Sequence, residues 1–114
     1  MDIKKYIDYE TALKRLGGKM PLYIRLLKQF FTLNYCKSLE ELCIAGDKEG
    51  FAILAHSVKG ASSNLSLMEI YSYCMKLESN IKNGIDCTDD MAEFKSVYQQ
   101  TEKIVDDFIA ERNG

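Results

Sequence analysis

Histidine and proline each occur once in these 114 residues, and tryptophan does not occur. The lone histidine, His56, has no second His, Cys or carboxylate one helical turn away on its own face, which speaks against a metal site. A Ser/His/Asp triad would have to use His56 itself. The nearest carboxylate along its exposed face is Glu49, two turns away, and Ser57 and Ser63 do not form a nucleophile elbow. No apolar run is long enough to span a membrane. The opening Met1-Asp2-Ile3-Lys4-Lys5-Tyr6 has no apolar core and does not read as a secretory signal. A net charge of −2 leaves no basic footprint for nucleic acid. Cys36, Cys43, Cys74 and Cys87 contain no Cys-x-x-Cys pair. Each lies in or beside a helical pattern and reads as a reduced, mostly buried thiol of a cytosolic protein, with a disulfide or zinc site as the alternative. Alternating runs, internal repeats and low-complexity segments are all absent, so no strand is expected.

What is there is helical periodicity punctuated by glycine. Residues 8–16 form a short helix with Asp8 as N-cap and Gly17-Gly18 as its C-terminal turn. That glycine pair is not a phosphate loop, because no strand precedes it and no Gly-Lys-Ser/Thr follows. Pro21 suits a first helical turn. A long helix runs from there to about Ala45, with Leu26, Leu27, Phe30, Leu33, Leu39, Leu42 and Cys43 as its core face and a possible break near Asn34. Phe31 and Tyr35 widen its apolar surface, which is assigned partly to covering the first helix and partly to a partner. Gly46 ends this helix and Asp47 caps the next, which spans about 48–65. Ser66-Leu67-Met68-Glu69 has the pattern of a capping box and opens a helix whose stripe is Leu67, Ile70, Tyr71, Cys74, Leu77 and Ile81, closed by Asn83-Gly84. The last helix begins near Thr88 and carries Phe94, Val97, Tyr98, Thr101, Ile104, Val105 and Phe108 inward to about Arg112. The expected fold is all-α: one domain over 1–114, an antiparallel up-and-down four-helix bundle with a short additional N-terminal helix.

On the helix of residues 48–65, at about 100° per residue, Phe51, Leu54, Val58, Ala61 and Leu65 gather into one apolar stripe. His56 falls nearly opposite, beside Ala52, Lys59, Gly60 and Ser63. An ordinary surface histidine is the simplest reading. Gly60 argues for more, since glycine inside a helix costs about 0.5–1 kcal/mol relative to alanine and leaves room for close approach one turn from the imidazole.

The stretch His56-Ser57-Val58-Lys59-Gly60 resembles the His-x-x-Lys-Gly core of histidine-containing phosphotransfer (HPt) domains. Ala55, Ala61, Asn64 and Leu65 around it fit as well, as do Leu77-Glu78 on the following helix and Ala12 to Gly18 at the first helix and turn. The similarity covers nearly the whole chain; one departure is Ser66, where the family usually has glycine. The resemblance implies a phosphorelay intermediate that accepts a phosphoryl group on His56 from a receiver-domain aspartate and hands it to another receiver. It implies no ATP-dependent kinase activity and no cofactor of its own, with Mg²⁺ expected on the receiver. Lys59 becomes the phosphate-side cation and Gly60 the small residue that permits docking. Helical geometry adds Ala52, Ile53 and Ser63, with parts of the preceding helix, as docking surface. Implied partners are response-regulator receiver domains and a hybrid sensor histidine kinase. The expected protein is a stand-alone cytoplasmic monomer, with a module of a hybrid sensor kinase as the alternative and a dimer left open by the apolar surface at Phe31 and Tyr35. The rival function is a helical adaptor that binds receiver or kinase domains without being phosphorylated.

Overall fold

A computed structural model describes residues 3–113. Met1, Asp2 and Gly114, which belong to the expected single domain, lie outside the described residues, as does the start of the segment tested for a secretory signal. After one 3₁₀ turn at Ile3–Lys5 come six helices: α1 (Tyr9–Arg15), α2 (Met20–Thr32), α3 (Tyr35–Ile44), α4 (Lys48–Asn64), α5 (Met68–Lys82) and α6 (Thr88–Asn113). Among the described residues there is no strand, only an isolated bridge between Ile7 and Leu67. Helices α3, α4, α5 and α6 pack in a ring, each against two others, while α1 packs on α2 and α2 on α6. The ring closes over Leu39, Phe51, Val58, Ile70, Leu77, Phe94 and Val105, all buried. Each such side chain contributes about 1.5–3 kcal/mol by leaving water.

The caps follow the sequence. The Asp8 carboxylate accepts from the Thr11 backbone N–H and hydroxyl, and the Asp47 carboxylate accepts from the Gly50 N–H at 2.9 Å. Each satisfies a helix-start donor that has no intrahelical partner. The expected long second helix does break at Asn34, whose left-handed φ of 50° separates α2 from α3. Leu33, at the end of α2, sits about 110° around the helix from the line of Tyr23, Ile24, Leu27 and Phe30 and is 61 % exposed instead of in the core. Tyr23, Ile24 and Cys36 are buried in its stead. Phe31 and Tyr35 are each half-buried. Both stack on Phe30, and Phe31 also meets Tyr98 of α6 edge-on at 5.2 Å.

Ser66 does not cap α5. The N-cap is Leu67, with no side-chain cap bond. Four helix ends share one motif, an N–H bonded to the carbonyl five residues back: Gly18 to Leu13, Asp47 to Leu42, Leu67 to Ser62 and Ile85 to Asn80, at 2.7–3.1 Å. The residue before each donor has positive φ, and it is Gly17, Gly46, Ser66 and Gly84 in turn. Ser66 therefore occupies a left-handed turn position that glycine fills at the other three ends, which accounts for a glycine preference there. Serine in that conformation costs about 1–2 kcal/mol, and neighbouring structure holds it in place. Ser66 is buried; its carbonyl accepts the Asp8 N–H and the Met68 N–H donates to Tyr6, both at 2.9 Å. The last carbonyls of α4 find tertiary donors too: Arg15 Nη1 on Ser63 and Asn64, and the buried Tyr23 hydroxyl on Leu65. The C-terminal end of α4 is thus tied to α1, α2 and the N-terminal segment.

The expectation of four reduced thiols is corrected. Cys43, at the end of α3, and Cys87, just before α6, are joined by a disulfide, because the ring of helices brings these ends together across 44 residues of chain. Cys36 and Cys74 are free and buried as expected, and burial pushes their thiols up to about 11 and about 12.

Candidate functional site

The buried line of α4 is Phe51, Ala55, Val58, Ser62 and Leu65, with Leu54 and Ala61 half-buried beside it. This core face is turned slightly from the expected stripe and still leaves His56 outside, its side chain 67 % exposed. The orienting carboxylate missing from α4 comes from the neighbouring helix. Glu78 of α5, only 9 % exposed, accepts the His56 Nδ1–H at 2.9 Å on Oε2. Its Oε1 accepts from Lys59 Nζ at 2.7 Å, and Oε2 accepts also from Lys82 Nζ at 3.0 Å.

The Lys59 hydrogen bond is the largest influence on Glu78. With the bonds from Lys82 and His56 it outweighs burial and holds the carboxyl down from 4.5 to about 2. An ionised carboxylate can only accept, so the ring nitrogen facing it carries the hydrogen. Neutral His56 then has its hydrogen on Nδ1 and its lone pair on Nε2. The same pairing raises the Lys59 ammonium above its ordinary value.

This pairing sets a pH dependence. A carboxyl whose folded pKa lies below its unfolded one stabilises the fold at pH values above the unfolded pKa, and the contribution disappears as pH falls toward the folded pKa. The stability gap between wild type and Glu78→Gln should be constant above about pH 5 and should close between 4.5 and about 2. Urea titrations at stepped pH measure it, and a gap that widens on acidification would contradict the assignment.

A shallow groove beside the imidazole is bordered by Ala52, Ile53, His56, Ser57, Glu78 and Lys82. Ala52 and Ile53 thus lie where helical geometry put them, Ile53 with 62 % of its surface open. The second wall of this groove is α5. Gly60 is exposed, and a Cβ built on it meets nothing within 4 Å, so the fold itself does not require a glycine there. Ser63 is half-buried and away from the groove. Lys59 reaches the site through Glu78 and is not a free ammonium. Sequence reasoning missed Lys82, although its i,i+4 spacing from Glu78 is a signal for a helical ion pair. Among the described residues, no cluster of His, Cys, Asp and Glu is arranged to hold a metal ion. Among the same residues, no helix is long and apolar enough to cross a membrane.

A surface imidazole with one nitrogen held by a buried carboxylate, on an all-helical fold, defines a candidate nucleophile. No protein-family model matches the chain, and no curated protein matches it. Among solved structures, it is similar to the crystal structure of histidine-containing phosphotransfer protein B (HptB) from Pseudomonas aeruginosa PAO1. The TM-score is 0.78 and the sequence identity 22 %, over 90 % of this chain and 92 % of that one. The chain therefore has the fold of a histidine-containing phosphotransfer protein.

Proposed function

We propose that this chain is a phosphorelay intermediate of the HPt family. His56 accepts a phosphoryl group from a receiver-domain aspartate and passes it to the aspartate of another receiver. The observation that carries this reading is the exposed imidazole whose Nδ1–H is held by buried Glu78, leaving Nε2 open to an incoming phosphorus. In the transfer, the Nε2 lone pair forms the N–P bond as the aspartyl P–O bond breaks, and the bonding electrons leave with the aspartate carboxylate. Nδ1 keeps its proton on Glu78, which offsets the positive charge gained by the ring. Phosphoryl transfer depends mainly on in-line positioning and charge neutralisation. The receiver contributes Mg²⁺, and this chain contributes the nucleophile and nearby lysines. It uses no ATP and is a carrier, not a kinase. The same reading takes the packed helices as an antiparallel up-and-down bundle and places a monomer in the cytoplasm, served by a hybrid sensor histidine kinase.

Incubation with a phosphorylated receiver tests the proposal: label should move to this chain in an acid-labile, base-stable form. Receiver binding without any label transfer would favour the adaptor function instead.

Gly60 supplies a second test. Gly60→Ala should stabilise the helix by up to about 1 kcal/mol, because the added methyl meets nothing. Gly60→Gln and Gly60→Arg should fold as well. Both should raise the receiver's dissociation constant and slow transfer, in order of bulk, because a side chain one turn from His56 projects into the space a receiver enters. Calorimetric binding and label transfer measure these two effects. Wild-type transfer by Gly60→Arg would rule out close approach at this position, and unfolding would make the glycine a packing residue.

A further inference from the structure

Three donors share the two oxygens of Glu78, and they differ in how replaceable they are. Among the described residues Lys59 is the only donor to Oε1, and its side chain is 27 % exposed. His56 and Lys82 share Oε2, and Lys82 is 62 % exposed, on the rim of the groove that holds the imidazole. If Lys59 leaves, one oxygen of a buried carboxylate loses its partner, which is costly. If Lys82 leaves, both oxygens keep a bond. Lys82 itself stands mostly in water, so a water molecule can take its place on Oε2.

We propose that Lys82 is the cation that swings to the phosphoryl group and holds it on His56, while Lys59 remains as the fixed counter-charge of Glu78. The proposal rests on the carrier reading above. With a neutral imidazole, Glu78, Lys59 and Lys82 together carry one net positive charge toward the groove. Without Lys82 that balance is zero. A phosphoryl group brings a charge of about −1.5 to −2, so the lysine that can leave Glu78 without stranding it is the one drawn away. The bonds made and broken in the transfer are unchanged, and Lys82 gives up no proton.

The test compares Lys82→Gln, Lys82→Arg and Lys59→Gln in the full chain. Its readouts are the equilibrium division of label between receiver aspartate and His56, and thermal unfolding without label. Lys82→Gln should move the equilibrium toward the receiver by about two- to fivefold, the size of an ion pair at an exposed site, with unfolding changed less than in Lys59→Gln. Lys82→Arg should restore it. Lys59→Gln should lower the unfolding temperature. An unchanged equilibrium in Lys82→Gln would overturn the proposal. So would a Lys59→Gln variant that melts like wild type and shifts the equilibrium further than Lys82→Gln. Absence of label on the wild-type chain would instead bring down the carrier reading and this proposal with it.

Discussion

His56→Gln should fold as the wild type does and take up no phosphoryl group. The replaced side chain is 67 % exposed, and substitutions at such positions usually change stability by no more than about 0.5 kcal/mol. Glutamine can still donate an amide N–H toward Glu78, which also keeps Lys59 and Lys82. What disappears is the Nε2 lone pair, and an amide nitrogen offers no nucleophile in its place. The chain has no second histidine to substitute for it, so the loss of uptake should be complete. Circular dichroism and thermal melting check the fold, and transfer from a labelled receiver checks the chemistry. Undiminished label on His56→Gln would move the site to another residue. Receiver binding retained at wild-type affinity, with no wild-type labelling either, would support an adaptor.

Much of this architecture is local and so was legible in the residues themselves. Asp8 and Asp47 cap helices because a carboxylate three residues before a free N–H reaches it in any protein. The exposure of His56 follows from 100° steps along a helix whose other side is apolar. What was not legible depends on which helix lies beside which. Leu77-Glu78 fits the family pattern, but nothing along α5 shows what Glu78 touches until packing against α4 buries it under His56 and Lys59. Ser66 reads as a capping serine because its sequence pattern is right, yet the chain enters the turn with φ of 55°, which only the bonds to Asp8 and Tyr6 and the burial around them secure. Leu33 is spaced three residues from Phe30 like a core residue, yet it lies about 110° around α2 from the line of Tyr23, Ile24, Leu27 and Phe30, and left-handed Asn34 sets the frame only of the residues after it.

The largest stability effect is expected from the pairing that sequence least predicted. Cys43→Ser with Cys87→Ser should destabilise the chain by about 2–4 kcal/mol. A cross-link stabilises chiefly by restricting the unfolded chain, and a loop of several tens of residues falls within that range; here the separation is 44. The two cysteines line a small cavity with Leu42, Phe51 and Ile81 where α3 ends and α4 begins, so little rearrangement offsets the loss. Chemical denaturation under non-reducing conditions measures the effect. Reduced wild type should match the double-serine variant, because both have the same untethered unfolded state. The phosphoryl site should be indifferent to the change, since Glu78 reaches His56 and Lys59 through the packing of α4 on α5 and not through the loop that carries Cys87. Transfer rates of the oxidised, reduced and double-serine forms should therefore agree within about twofold at temperatures where all three are folded. A reducing compartment would keep this pair as thiols, so the reduced form's stability is the quantity that governs its persistence there. If the double-serine variant unfolds at the same denaturant concentration as the oxidised wild type, Cys43 and Cys87 are not bonded in solution. If its transfer rate falls instead, the Cys43–Cys87 link acts on the His56 groove through the adjoining residues Phe51–Ala52 of α4 and Ile81–Lys82 of α5.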